Sequence, residues 1–247
     1  MIRMLAALLL WVFIMWLSAP AQASPVVGDI SNYSIDIDAG FNGTKLFLFG
    51  VRNNDGDIIV VLRGENKNYI VRKKEKVAGI WVNKDRMKFF DVPSFYWLAG
   101  SKKTENIEFQ HALAQLGIGQ NHLLARPSDP KKQAYFADFS QAFLRHQLSE
   151  RRYAHESASI NFMAETLFKT TIDLPSNLPP GAYTAEIYLV SGGEISGMQS
   201  IPLNVVKTGL DAFIYNAAHD SPALYGLCTI LLALGAGWFA GRLFQTS

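Results

Sequence analysis

Leu178-Pro179-Pro180-Gly181-Ala182-Tyr183-Thr184-Ala185-Glu186-Ile187-Tyr188-Leu189-Val190 decides the fold. Two prolines and a glycine make a turn. A tyrosine then opens an apolar run of strand length from Thr184 to Val190. A Pro-Gly-x-Tyr step into a late strand matches the tyrosine corner of immunoglobulin-like sandwiches, where the phenol bonds back across the turn. Ser191-Gly192-Gly193 is the next turn, and Ile195 to Val206 returns as a second strand.

Upstream the same style holds. Tyr33, Ile35 and Ile37 alternate with Ser34, Asp36 and Asp38, a period of two with one wet face. Lys45 to Val51 is rich in Leu and Phe. Asn53-Asn54-Asp55-Gly56-Asp57 signals a turn. Ile58 to Leu62 is a β-branched run suited to a buried strand. Tyr69 to Lys74, Ile80 to Val82 and Met87 to Phe90 are further strand candidates, closed by Val92-Pro93-Ser94. Ile160 to Phe168 reads as one more.

Between these halves the period changes. Ile107, Leu113 and Leu116 suit one face of a helix ending near Gly117-Ile118-Gly119. Asp129-Pro130 reads as an N-cap followed by proline at the first helical position. Phe136, Phe139, Phe143 and Leu144 form an apolar stripe at helical spacing. The expected fold is mainly β, an immunoglobulin-like β-sandwich of about seven strands with an inserted helical hairpin near 104–152. A split into two small β domains, parting near 101–156, is the alternative.

The two ends belong to membranes. Arg3, an apolar run from Met4 to Leu17 and Ala21-Gln22-Ala23 are the parts of a secretory signal, so residues 1–23 are expected to be removed and the mature chain to begin at Ser24. Residues 24–208 then form the exported domain and 209–221 a juxtamembrane segment. Residues 222–241 form a transmembrane helix close to the ~20 apolar residues a span needs, and 242–247 a cytoplasmic tail. Tyr225 and Trp238 sit near the helix ends, where amphipathic rings prefer the interface. Ala233, Gly237 and Gly241 recur every fourth residue, a small-residue face on which a second helix can pack.

The formal net charge is only +2, which gives no general electrostatic reason to bind nucleic acid. The single cysteine, Cys228, lies in the apolar C-terminal stretch, so the exported domain is held by packing without a disulfide. Catalytic signals are absent. No two of His111, His122, His146, His155 and His219 are spaced i, i+4, and no nucleophile elbow, Walker loop or dinucleotide fingerprint is present. Asp36 with Asp38, and Asp55 with Asp57, read as an exposed strand face and a turn. No catalytic residue, metal site or cofactor is expected, and the chain is read as a non-enzyme. Arg72-Lys73-Lys74-Glu75-Lys76 is the densest basic cluster, suited to anionic headgroups or to a guarded strand edge. Trp81, Phe95, Tyr96 and Trp97 are the candidate aromatic contact surface.

Several segments together resemble the putative transmembrane proteins of alphaproteobacteria, a family without an established activity. They are Ser31-Asn-Tyr-Ser-Ile35, Phe41-Asn-Gly-Thr44, Lys73-Lys-Glu-Lys-Val-Ala-Gly-Ile-Trp-Val-Asn83, Val92-Pro-Ser-Phe-Tyr96, Leu178-Pro-Pro-Gly-Ala-Tyr-Thr184 and Ala217-Ala-His-Asp-Ser-Pro-Ala-Leu-Tyr-Gly226. The resemblance implies the bacterial inner membrane, with the domain in the periplasm. It implies an accessory role beside an anion exporter-like transporter and supplies no catalytic residue.

The expected function is a membrane-anchored periplasmic interaction module. Its partners would be a membrane protein, or a second copy met through the transmembrane helix, and the lipid bilayer itself. A periplasmic domain binding a small ligand or an envelope polymer is the alternative. A flat exposed apolar patch would favour the first and a deep pocket with convergent polar groups the second.

Overall fold

The computed structural model describes residues 24–102, 111, 113–114, 116–119, 122–124, 130–154, 158–209, 214 and 217–244. The expected signal peptide, Ile107 with most of the first inserted helix, Asp129, His155 and the last three residues lie outside them. The strands are β1 (Val26–Ile30), β2 (Ser34–Ile37), β3 (Thr44–Arg52), β4 (Asp57–Gly64), β5 (Asn66–Val77) and β6 (Ile80–Pro93). They continue as β7 (Tyr96–Gly100), β8 (Ala158–Ser159), β9 (Asn161–Phe162), β10 (Leu167–Leu174), β11 (Gly181–Ser191) and β12 (Glu194–Lys207). Two long helices are α1 (Pro130–Ser149) and α2 (Pro222–Phe244).

The chain is mainly β. One sheet runs β1-β3-β10-β9 and a larger one β2-β12-β11-β4-β7-β8. Leu46, Leu48, Phe168 and Ile172 of the first face Ile58, Val60, Leu62, Ala185, Ile187 and Leu203 of the second across one core. The N-terminal segment serves both sheets: β1 pairs antiparallel with β3, and β2 pairs parallel with β12. This is the immunoglobulin-like arrangement, with the first strand shared between layers. The amide of Gln199 on β12 brackets Gly28 on β1, accepting from its N–H at 2.6 Å and donating to its carbonyl at 3.0 Å.

The tyrosine corner forms as the sequence predicts. The Tyr183 hydroxyl donates to the Pro179 carbonyl at 2.6 Å, and its ring packs on Phe95. Gly181 has φ +144°, and a Cβ there would sit 2.7 Å from the Glu65 carboxylate, so only glycine fits this turn.

The apolar run of β4 does not alternate because both faces are covered. Ile58, Val60 and Leu62 point into the sandwich, while Ile59 and Val61 point outward into a second core. There they meet Tyr96, Leu98 and Tyr188, the hairpin residues Met87 and Phe89, and Phe139 and Phe143 of α1. Phe143 touches Tyr69, Phe89 and Tyr153 edge-on or tilted, with centroids 5.1, 5.5 and 6.1 Å apart. The phenylalanine stripe of α1 is thus core, and the insertion roofs the outside of the larger sheet.

Two strand readings change. Tyr69 to Phe90 does not join the sandwich: among the described residues β5 and β6 pair with each other alone, as one long projecting hairpin. Ile160 to Phe168 is not one strand either. It breaks between β9 and β10 at a turn in which the Met163 N–H donates to the Leu167 carbonyl at 2.8 Å, and β9 folds back on β10.

Candidate functional site

Three features lie outside the packing that holds the sandwich together: the face of α2, the bare side of the smaller sheet, and a cleft where α1 ends.

The apolar segment Pro222–Arg242 of α2 is long and apolar enough to cross a membrane, and none of it is buried against the domain. A Cβ built on Gly237 or Gly241 meets nothing within 4 Å, so that side of the helix is open. Ala233 lies on the same stripe, and Thr229 extends it one turn further. The Thr229 hydroxyl donates to the carbonyls of Gly226 and Tyr225 at 2.8 and 3.1 Å, which satisfies it within its own helix and leaves a compact surface.

The four aromatics of the expected contact surface are not together, and three are not surface. Phe95 and Tyr96 are 2% exposed and Trp97 is 7% exposed, while Trp81 is 66% exposed at the far end of the β5–β6 hairpin. The reason is β7. It lies inside the larger sheet next to β4, so its residues alternate between two cores, Phe95 and Trp97 into one and Tyr96 into the other. The Tyr96 hydroxyl is tied up as well, accepting from the Gly119 N–H at 2.9 Å.

The apolar surface is elsewhere. On β3 every second residue enters the core, and Phe47, Phe49 and Val51 between them face outward at 42%, 46% and 41% exposure. Register places exposed Val27 beside Val51 on one flank and Leu167 on the other. Asp29 and Lys169 flank Phe49, and the Lys169 ammonium lies 5.5 Å from the centre of the Phe47 ring. Among the described residues no element roofs this sheet as the insertion roofs its partner. A run such as Leu-Phe-Leu-Phe reads as wholly buried in the sequence, so only the strand's position could reveal its outer half.

The cleft has a volume of about 710 Å³ and is lined by Phe95, Trp97, Tyr153, Asn42, Glu150 and Asn177 among others. α1 closes above it. The Arg152 N–H reaches back to the Gln147 carbonyl at 3.0 Å, and Arg151 takes a left-handed conformation at φ +55°. The Asn177 side-chain amide then pins the turn, donating to the Glu150 carbonyl at 3.0 Å and to its carboxylate at 2.9 Å. Of the polar side chains lining the cleft, Asn177 and Glu150 bond to each other, and the Ser149 hydroxyl donates to the His146 carbonyl at 2.8 Å. Burial pushes the ionisation of nearby Tyr153 and Tyr183 far above the usual phenol range. Among the described residues no three His, Cys, Asp or Glu side chains gather as metal ligands would.

The family model described as "Putative transmembrane protein (Alph_Pro_TM)" matches residues 25–246. No curated protein matches the chain. Among solved structures, one titled for T cell specificity and activation by the superantigen toxic shock syndrome toxin-1 is 11% identical. It covers 74% of this chain and 99% of its own, at a TM-score of 0.28. Another, of a family 123 glycoside hydrolase from Clostridium perfringens, is 9% identical, with 76% of this chain and 28% of that one covered, at a TM-score of 0.26. Likenesses this loose carry no functional argument.

Proposed function

We propose, since the chain belongs to the Putative transmembrane protein (Alph_Pro_TM) family, that it is a non-enzymatic accessory module held in the bacterial inner membrane by α2. Its sandwich lies in the periplasm and docks on an integral membrane partner of the anion exporter-like class. One observation carries the reading: the exposed outer face of β3, where Phe47, Phe49, Val51 and Val27 form a contiguous apolar patch with Asp29 on one flank and Lys169 on the other. Apolar surface of this kind, rimmed by charge, marks protein contact. Co-purification in mild detergent followed by mass spectrometry tests it. Phe47→Ser with Phe49→Ser leaves the inner half of β3 untouched and is expected to lose the membrane partner. Full retention of that partner by the double variant removes this face from the proposal.

The cleft supports a second reading, a domain that takes a small periplasmic ligand. Its volume falls within the range of small-molecule sites, and Trp97 on its wall offers a fluorescence signal. Against it, two of its polar lining residues, Asn177 and Glu150, are already bonded to each other.

A further inference from the structure

The β5–β6 hairpin remains outside both readings. Its base is held by Tyr69, Val71, Met87 and Phe89 against α1, but every residue from Arg72 to Arg86 is exposed. At ~3.3 Å per residue, the free half projects on the order of 20 Å from the domain. Its tip is the run Val77-Ala78-Gly79-Ile80-Trp81-Val82, with Ile80 and Trp81 among the most exposed large apolar side chains outside α2. Directly behind the tip, cations outnumber anions: Arg72, Lys73, Lys74, Lys76, Lys84 and Arg86 against Glu75 and Asp85. Lys84 and Glu75 pair at 2.7 Å. In register, Lys76 stands opposite Trp81 and Val77 opposite Ile80.

The turn itself is telling. Ala78 and Gly79 both have positive φ, +47° and +88°, as a two-residue loop with primed geometry requires. Asn or Asp is the usual first residue there, because a short polar side chain tolerates the left-handed region. Alanine is strained, yet it keeps the whole tip free of polar side chains. Lysines that merely protect a strand edge would explain the charges and leave the apolar tip unexplained.

We propose that this hairpin tip inserts into the headgroup region of the bilayer that anchors α2. Ile80, Trp81 and Val77 would enter the interface, and Lys73, Lys74 and Lys76 would meet anionic lipid phosphates. Apolar residues with an indole ring, backed by a basic collar, match the chemistry of an anionic membrane surface. The inference rests on anchoring by α2 and is independent of the β3 docking face.

The full chain with Cys228→Ser and Ile80→Cys, labelled with an environment-sensitive fluorophore, tests it in nanodiscs, where no second bilayer is present. In phosphatidylglycerol-rich discs the emission is expected to shift to the blue and to be quenched by spin-labelled lipid. In phosphatidylcholine discs both effects are expected to shrink. Lys73→Gln, Lys74→Gln and Lys76→Gln together are expected to lower partition of the tip about a hundredfold, at roughly fivefold per charge. Ala78→Asn discriminates further, since it relieves the turn and yet should weaken insertion. A label that stays water-like in anionic discs overturns the proposal and assigns the cluster to an acidic protein or to edge protection. A chain that fails to co-elute with discs removes the anchor and the proposal with it.

Discussion

At the residue scale the fold turns on Tyr183. Its phenol is buried and bonded to the Pro179 carbonyl at 2.6 Å, so Tyr183→Phe keeps the ring and removes one hydrogen bond. The expected loss is about 1 kcal/mol, with more if the carbonyl is left dry. Chemical denaturation of the detergent-solubilised chain reads it, and an unchanged midpoint would mean that the corner is decorative. The same tyrosines set an alkaline limit. Burial, then the neighbouring Glu186 carboxylate, pushes the Tyr188 phenol up to about 12 from an ordinary 10.0, and Tyr153 and Tyr183 are raised further. Above pH 10 the unfolded chain releases phenol protons that the folded chain keeps. Stability should therefore be complete below pH 10 and fall as pH rises through about 12. Melting temperature followed against pH, alongside tyrosinate absorbance, should show ionisation of these groups arriving together with unfolding.

At the element scale the sequence announced some strands and disguised others. β11 was readable because a proline-glycine turn precedes a run ending in a second glycine turn. The helix α1 was readable because Pro130 marks its start and Phe136, Phe139 and Phe143 its buried side. β7 was hidden because Tyr-Trp-Leu-Ala-Gly is buried on both faces and has no alternation to detect. The hairpin was broken into pieces because its outer half is solvated on both faces, so no period of burial runs through Arg72 to Lys76. The aromatics around β7 are therefore core, and the exposed aromatic surface lies on β3, whose outer face no described element covers. For α2 the small-residue stripe gives a direct test. Gly237→Leu with Gly241→Leu keeps the span apolar and fills the open side of the helix. If helix contact contributes to association, the pair should weaken it by about 1–2 kcal/mol and reduce recovery of a partner or second copy, while membrane localisation is unaltered.

At the scale of the whole molecule, two cores share one sheet. β4, β7 and β11 contribute to both, so the sandwich and the roofed insertion should melt together rather than in steps. Neither core draws on α2. A chain running from Ser24 to His219 is accordingly expected to be soluble and to unfold in one cooperative transition. Aggregation, or loss of cooperativity by calorimetry, would make the anchor part of the fold.

The parallel pairing of β2 with β12 has a mechanical meaning. β12 is the last strand before the anchor, and its final residues, Asn204 to Lys207, lie alongside Ser34 to Ile37 in the same direction. Tension arriving from the membrane runs along β12, across its hydrogen bonds rather than in line with them. The strand is loaded in shear, and its bonds to β2 share the pull instead of peeling one by one. A domain tugged by a moving partner would thus resist at the strand that feels the force first.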